Sequence, residues 1–346
     1  MKISSWNEWD PLVSVIVGSA EGARVPRVTS SLRAIHYAHL RDSSAIPSGP
    51  YPKRVLEEAE EDLEALCAVL RAEGVEVYRP KPPVTETVFR TPHFESDSQY
   101  VFCPRDSVLV HGDLILEAPM PAQSRYFETF AYRSLFEEAF EDGARWISAP
   151  KPFLTDDDYS FETKPGVPTL RDHEICFDAA NVLRCGRDLF YLVSNSGNKK
   201  GARWLQSILG SGFRVHALEG VYSYMHLDST ISFLRPGLVL LNPSRLRRDN
   251  LPEILSGWDV IWCPEPHDIG FYPPYENAST WIGMNLLMVR PDLALVEKNQ
   301  TALIRELERR RIQVIPIRMR HQRTLGGGAH CVTLDLERRG ALENYF

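Results

Sequence analysis

The stretch Val182-Leu-Arg-Cys-Gly-Arg-Asp-Leu-Phe-Tyr-Leu-Val193 places a glycine and an aspartate between two short apolar runs. This pattern predicts a β-hairpin, because residues that favour tight turns reverse the chain between two strand-forming segments. Three further segments show the same pattern, with Gly, Pro or Asp at the centre: 107–117, 231–241 and 286–296. A fifth hairpin is divided between the two ends of the chain, at residues 331–337 and 13–18. The chain is thus predicted to use one unit five times.

A second pattern alternates with the hairpins: an amphipathic helical segment, a short break and a β-rich run. The helical segments are 55–71, 126–141, 204–209, 251–255 and 302–310. Modules of this size cannot each bury a core alone, so they are expected to pack around an axis. The prediction is an α/β fold, a five-module pseudo-fivefold α/β-propeller that forms a single catalytic domain of residues 1–346, with the N-terminal strand closing the last module. An irregular α/β sandwich is the alternative.

The composition of the 346 residues, 43% hydrophobic and 25% charged, is that of an ordinary globular protein. The net charge of -7 and the lack of a basic run predict no nucleic-acid partner. No apolar run reaches the roughly 18 residues of a membrane span, and the first residues lack a signal peptide's apolar core.

Six cysteines are dispersed without a Cys-x-x-Cys pair, which argues against disulfides and zinc. We therefore expect a cytoplasmic protein with free thiols, no metal and no membrane partner.

Residues with reactive or charged side chains stand just before each predicted hairpin. In a ring of equivalent modules these positions lie near one end of the axis, so the side chains should converge. The set comprises Asp106, Asp178, His226, Asp228, Asn285 and Cys331. Singly, each aspartate could form a turn and the histidine could pack in the core, but their joint occurrence favours a site. His330 is expected to point to the opposite face of a strand and to serve packing.

The chemistry of this set suits covalent catalysis. A thiol attacks at neutral pH only if its pKa is lowered or a base lies nearby. The triglycine run in Leu325-Gly-Gly-Gly-Ala-His-Cys331 allows a ligand to approach the backbone closely. Several carboxylates at one place call for a cationic guest, and a planar guanidinium pairs with carboxylates bidentately. We therefore expect the Cys331 thiolate to attack a guanidinium carbon.

Five motifs resemble those of the amidinotransferases in the pentein superfamily, whose fold is an α/β-propeller of five modules. They are Cys103-Pro-Arg-Asp106, Phe177-Asp-Ala-Ala180, His226-x-Asp-Ser-Thr230, Asn242-Pro-Ser-Arg245 and Leu325-Gly-Gly-Gly-x-His-Cys331. The resemblance covers nearly the whole chain. Segments 46–49, 148–152 and 281–287 look most like the arginine:inosamine-phosphate branch of streptomycin biosynthesis, and the glycine branch is more distant.

The resemblance implies a ping-pong reaction without a metal or organic cofactor. Cys331 would attack arginine to form an amidino-cysteine, His226 would protonate departing ornithine and then deprotonate the incoming amine, and Asp178 would orient His226. The other implied residues bind substrate: Asp106 and Asp228 the guanidinium, Arg245 and Ser279 the amino-acid end of the donor, with Met225 on the acceptor side and Asn285 as a further contact.

The identity of the acceptor is left open by the sequence. An inosamine phosphate is favoured by the resemblance, but Met225 is similar to the glycine enzyme, so an amino acid such as lysine or glycine is the alternative. An arginine deiminase-type hydrolase would use the same residues with water as the acceptor, and a non-catalytic scaffold is a third hypothesis. The expected partners are L-arginine and a small amine, and a homodimer is compatible with the sequence.

Overall fold

The computed structural model describes residues 1–40, 42–81, 88–162, 164 and 166–346. Its strands are β1 (Leu12–Val17), β2 (Arg24–Val25), β3 (Gly49–Pro50), β4 (Glu76–Tyr78), β5 (Val88–Arg90), β6 (Glu95–Asp97), β7 (Val108–His111), β8 (Leu114–Glu117), β9 (Arg145–Ser148), β10 (Val182–Cys185), β11 (Asp188–Leu192), β12 (Arg214–Leu218), β13 (Ile231–Arg235), β14 (Leu238–Leu241), β15 (Asp259–Trp262), β16 (Leu287–Arg290), β17 (Leu293–Glu297), β18 (Gln313–Ile317) and β19 (Thr333–Arg338). Its α-helices are α1 (Ser30–Ile35), α2 (Lys53–Ala72), α3 (Pro104–Ser107), α4 (Arg133–Glu141), α5 (Lys199–Leu209), α6 (Thr301–Arg309) and α7 (Gln322–Leu325). Short 3₁₀-helices connect them: Ser43–Ala45, Gln123–Arg125, Glu128–Tyr132, Asp156–Asp158, Ala179–Asn181, Glu253–Leu255 and Thr280–Met284.

Five three-stranded sheets share one topology, in which an antiparallel hairpin is extended by a third, parallel strand. They are β19-β1-β4, β7-β8-β9, β10-β11-β12, β13-β14-β15 and β16-β17-β18. The hairpins predicted from the sequence are confirmed, and the divided one forms where β1 pairs antiparallel with β19. A parallel strand needs a crossover connection. The helices α2, α4, α5 and α6 occupy four of these crossovers, and a 3₁₀ turn occupies the fifth.

Helix α2 shows how apolar residues at helical spacing in the sequence form the buried face of a helix. Val55, Ala59, Leu63, Leu66 and Leu70 recur at helical spacing and are buried on one face. That face packs into an apolar cluster together with residues of β1. Burial of such a stripe, rather than intrinsic propensity, supplies most of the stability of a helix in a folded protein.

Two predicted helices differ from the structure. Residues 126–141 contain the 3₁₀-helix Glu128–Tyr132 before α4, where buried Glu128 is bonded to Arg125. Residues 251–255 form only the 3₁₀ turn Glu253–Leu255, because too few residues lie between Pro252 and Gly257 to repay the cost of nucleating an α-helix.

The hairpin strands form the interior of the protein. Every residue of β7, β8, β10, β11 and β14 is buried. The segments that precede the five hairpins carry the residues singled out by the sequence. Within the described residues, no helix has the length and apolar character needed to cross a membrane.

Candidate active site

The loop before β19 is shaped by three glycines after α7. Gly326 ends the helix with φ of +83°, a conformation that glycine adopts readily. A Cβ at Gly327 would lie 2.5 Å from the Sγ atom of Cys103, and a Cβ at Gly328 would lie 2.8 Å from the Cβ atom of Asn285. The triglycine run is therefore required by close backbone packing.

Asn285 holds this loop in place. Its Oδ1 atom accepts hydrogen bonds from the backbone N–H groups of His330, at 3.0 Å, and Cys331, at 3.1 Å. Asn285 is buried and follows the 3₁₀-helix Thr280–Met284. The side chain thus fixes the direction from which the cysteine enters the site.

The Cys331 thiol is almost fully buried, with 1% of the residue exposed. Its Sγ atom donates a hydrogen bond to Oδ2 of Asp228 at 3.2 Å. Burial, followed by the negative charge of Asp228, raises the pKa of this thiol well above its usual value. The free protein therefore holds the sulfur protonated at neutral pH.

His330 belongs to the same polar cluster, so its predicted packing role was wrong. It lies in the turn before β19, not in a strand, with Nδ1 at 2.9 Å from Asp228 and Nε2 at 3.2 Å from Glu8. Burial would raise the pKa of Asp228, but the hydrogen bond and charge of His330 lower it to about 2. Asp228 is therefore a stable anion against the thiol.

His226 lies between two aspartates that precede other hairpins. Its Nε2 atom is 2.9 Å from Oδ2 of Asp178, and its Nδ1 atom is 3.7 Å from Oδ1 of Asp106. Burial by itself would lower the pKa of His226, but Asp106 and Asp178 outweigh it and raise the pKa to about 9. His226 also has φ of +57°, an uncommon conformation for a non-glycine residue that clusters at functional sites.

A buried arginine lies behind Asp106. Arg125 donates from Nη1 to Oδ2 of Asp106 at 2.7 Å and holds Glu128 with two hydrogen bonds of 2.6 Å. Neither Arg125 nor Glu128 belongs to a motif singled out in the sequence. Arg125 faces Asp106 only through the tertiary fold, so no local pattern could have shown the contact.

Two carboxylate oxygens in the site lack a donor. Oδ1 of Asp106 and Oδ1 of Asp178 are buried and find no hydrogen-bond partner among the described residues. Buried acceptors are seldom left unsatisfied in folded proteins. These oxygens therefore leave unused acceptor capacity beside His226.

A cavity of about 380 Å³ opens onto the thiol. Six of the residues expected from the sequence line it: Cys331, His226, Asp228, Arg245, Ser279 and Met225. Asp178 and Asp106 stand behind His226, and Asn285 stands behind the cysteine loop. Other lining residues were not singled out from the sequence, among them His39, Tyr222 and Glu276.

Arg245 forms part of the cavity wall and is bonded to the two residues that follow Asp228. Its Nη1 atom donates to the hydroxyls of Ser229, at 2.8 Å, and Thr230, at 2.7 Å. Its guanidinium stacks on the ring of Tyr222, 3.4 Å from the centroid. Burial lowers the pKa of Arg245. The guanidinium is thus held in a defined orientation at the cavity wall.

Comparisons with known proteins identify close relatives over the full length. The chain is 53% identical over 344 residues, 99% of both chains, to inosamine-phosphate amidinotransferase 1 of Streptomyces griseus. It is 38% identical to the mitochondrial glycine amidinotransferase of Gallus gallus, covering 99% of this chain and 85% of that protein. No protein-family model matches the chain.

Solved structures extend the comparison to the fold. The inosamine-phosphate amidinotransferase structure from Streptomyces griseus superposes with a TM-score of 0.97 over 99% of both chains, at 53% identity. DDAH from Pseudomonas aeruginosa shares only 16% identity but superposes with a TM-score of 0.60 over 94% of this chain and 99% of that one, which shows a common pentein fold. On the full-length identities, the chain belongs to the amidinotransferase family.

Proposed function

We propose that this protein transfers the amidino group of L-arginine to the amino group of an inosamine phosphate and releases L-ornithine. The main structural support for this function is the position of the Cys331 thiol. Its Sγ atom lies 3.2 Å from Oδ2 of Asp228, in a cavity that His226 also lines. The 53% identity over nearly all of both chains to an inosamine-phosphate amidinotransferase supports the choice of acceptor.

The first half-reaction breaks a carbon–nitrogen bond of arginine. The Cys331 thiolate attacks the guanidinium carbon, and the bond from that carbon to the ornithine nitrogen breaks. His226 supplies the proton for the departing amine, which its pKa of about 9 allows because the imidazole is protonated at neutral pH. The amidino group is left on sulfur as an amidino-cysteine.

The second half-reaction regenerates the thiolate. The acceptor ammonium first loses one proton to solvent. The neutral amine then attacks the amidino carbon while His226, now neutral, removes the second proton from the attacking nitrogen. The carbon–sulfur bond breaks, the electron pair returns to Cys331, and the acceptor carries a new guanidino group. Both half-reactions use the same imidazole in opposite directions, and neither requires a metal or an organic cofactor.

Arginine itself is expected to activate the thiol. In the free protein burial, and after it the negative charge of Asp228, raises the pKa of Cys331. A guanidinium bound against Asp228, with the carboxylate of Asp106 attracting it from behind His226, would neutralise that charge and place a cation beside the sulfur, which lowers a thiol pKa. The thiol proton would then leave to water as arginine binds. Asp178 would keep His226 oriented through their 2.9 Å contact.

The other cavity residues would set substrate orientation. Arg245, held on Tyr222, and Ser279 would bind the carboxylate and amino groups of the donor. Met225 would face the acceptor. Asn285 would contribute to substrate binding by fixing the loop of the nucleophile through its two backbone hydrogen bonds.

The five sheets of identical topology support a further proposal on architecture. We infer that they are the blades of a pseudo-fivefold α/β-propeller in one catalytic domain, residues 1–346, with β1 completing the last blade. Buried ion pairs that join residues of several modules support this arrangement: Glu8, Arg105, Arg184 and Asp335. A homodimer and a cytoplasmic location, in which the six free cysteines stay reduced, complete the proposal.

Ornithine formation tests the function directly. The purified protein should release ornithine from arginine continuously only when inosamine phosphate is present. With arginine alone it should release one equivalent of ornithine per enzyme, as the amidino-enzyme forms. Citrulline formation from arginine alone would identify a hydrolase. Equal or faster ornithine formation with lysine or glycine would refute the proposed acceptor. A protein that does neither reaction would be a non-catalytic scaffold.

A further inference from the structure

Two further cavities adjoin the catalytic one. Their volumes are about 300 Å³ and 400 Å³, and they share Ala38, His39 and Thr169 as walls. His39 also lines the catalytic cavity, and Tyr224 lines both that cavity and the smaller of the two. The two outer cavities together are called the groove below. The exposed His39 imidazole therefore lies where this groove meets the catalytic cavity.

The walls of this groove differ in charge from those of the catalytic cavity. The catalytic cavity is lined by the carboxylates Asp228 and Glu276 as well as by the cations Arg245 and His226. The described walls of the two outer cavities contain Arg33 and Lys164 but no carboxylate. In a chain with a net charge of -7, such a stretch of cationic wall is suited to an anion.

Arg33 is the best-placed cation in this wall. It lies in the last turn of α1 and is half-buried, and its guanidinium stacks on the ring of Phe161 at 4.9 Å. Among the residues that the structure describes, no carboxylate forms an ion pair with it. Stacking fixes the plane of the guanidinium and leaves its N–H groups available for a bidentate acceptor. Lys164 is more exposed and lies 3.8 Å from Glu162.

We propose that this groove, with Arg33 as its principal cation and Lys164 and His39 as further donors, binds the phosphate group of the acceptor. The proposal rests on the proposed function and extends it to a subsite. The cyclitol ring would pass between His39 and Tyr224 with its amine directed to Cys331. A phosphate dianion in the groove would lie away from Asp228, whose negative charge would repel it. It would contact the guanidinium of Arg33, a planar donor that can pair with phosphate through two hydrogen bonds.

The test compares two acceptors in Arg33→Gln. The value of kcat/KM for inosamine phosphate should fall roughly 10- to 100-fold, since a charge-assisted hydrogen bond is lost, whereas kcat/KM for unphosphorylated inosamine should not change. Inorganic phosphate should inhibit the wild type in competition with the acceptor, and more weakly in the variant. Arg203→Gln, on the exposed face of α5, is the matched control for charge.

The outcomes separate the subsite from the function. If Arg33→Gln and Lys164→Gln both keep the wild-type preference for the phosphorylated acceptor, the subsite is refuted. An equal loss with both acceptors, or an equal effect in Arg203→Gln, refutes it as well. If the wild type guanidinylates neither acceptor, the proposed function fails instead. Arginine-dependent labelling of Cys331 in each variant shows that the variant is folded.

Discussion

Substitution of Gly328 by alanine should damage the site more than the fold. A Cβ at this position would lie 2.8 Å from both Cβ and Oδ1 of Asn285 and 3.0 Å from its carbonyl oxygen. Rotation about χ1 of Asn285 could move Oδ1, but the backbone fixes the positions of Cβ and the carbonyl oxygen. Either the overlap persists or the loop moves away from Asn285.

Both responses have a calculable cost. Overpacking of this kind destabilises a protein by about 1–3 kcal/mol. Relaxation would instead break the hydrogen bonds from His330 and Cys331 to Asn285, at about 1 kcal/mol each. Movement of the nucleophile by even ~1 Å can reduce turnover on the order of 100-fold. We therefore expect a small fall in Tm and a large fall in kcat.

Thermal unfolding and ornithine release measure the two effects. Gly257→Ala is the matched control, since no atom lies within 4 Å of a Cβ there and its φ is not positive. If Gly328→Ala unfolds at the same temperature as Gly257→Ala and releases ornithine at the wild-type rate, the packing argument for the triglycine loop is wrong.

Four further predictions concern Cys331, Asp178, His226 and Arg125. Cys331→Ala should abolish ornithine release with an unchanged circular dichroism spectrum, and turnover near the wild-type rate would exclude the thiol as nucleophile. Asp178→Asn should lower kcat by ~10²–10⁴-fold and lower the His226 pKa from about 9, as followed by NMR; a variant that merely unfolds would indicate a structural role. Since folding raises the His226 pKa from 6.5 to about 9, its protonation stabilises the protein fully below pH 6.5, and that contribution is lost as the pH rises through 9. Urea titrations should show this loss in the wild type but not in His226→Gln. Arg125→Met should destabilise more than Arg125→Met with Glu128→Gln, because the single change leaves a buried carboxylate unpaired; equal free energies of unfolding would contradict this.

The local pattern of the sequence was sufficient to predict the five hairpins and to single out several residues that line the cavity. Turn residues between apolar runs act over a few positions, so the segments around Val182–Cys185 and Ile231–Arg235 could be identified without tertiary information. The motifs likewise identified Cys331, His226 and Asp228, which the structure brings to one cavity.

Contacts between modules were decided only by the tertiary structure. The contact of His330 with Glu8 joins residues 322 positions apart, and the pairing of Arg125 with Asp106 depends on how a 3₁₀ turn packs against α3. The same is true of the cationic groove beside His39. Periodicity reports which face of an element is buried, but not which distant side chain covers it. The packing of five modules against one another determines which distant side chain covers a given face, because each buried charge requires a partner of opposite charge across the interface between modules.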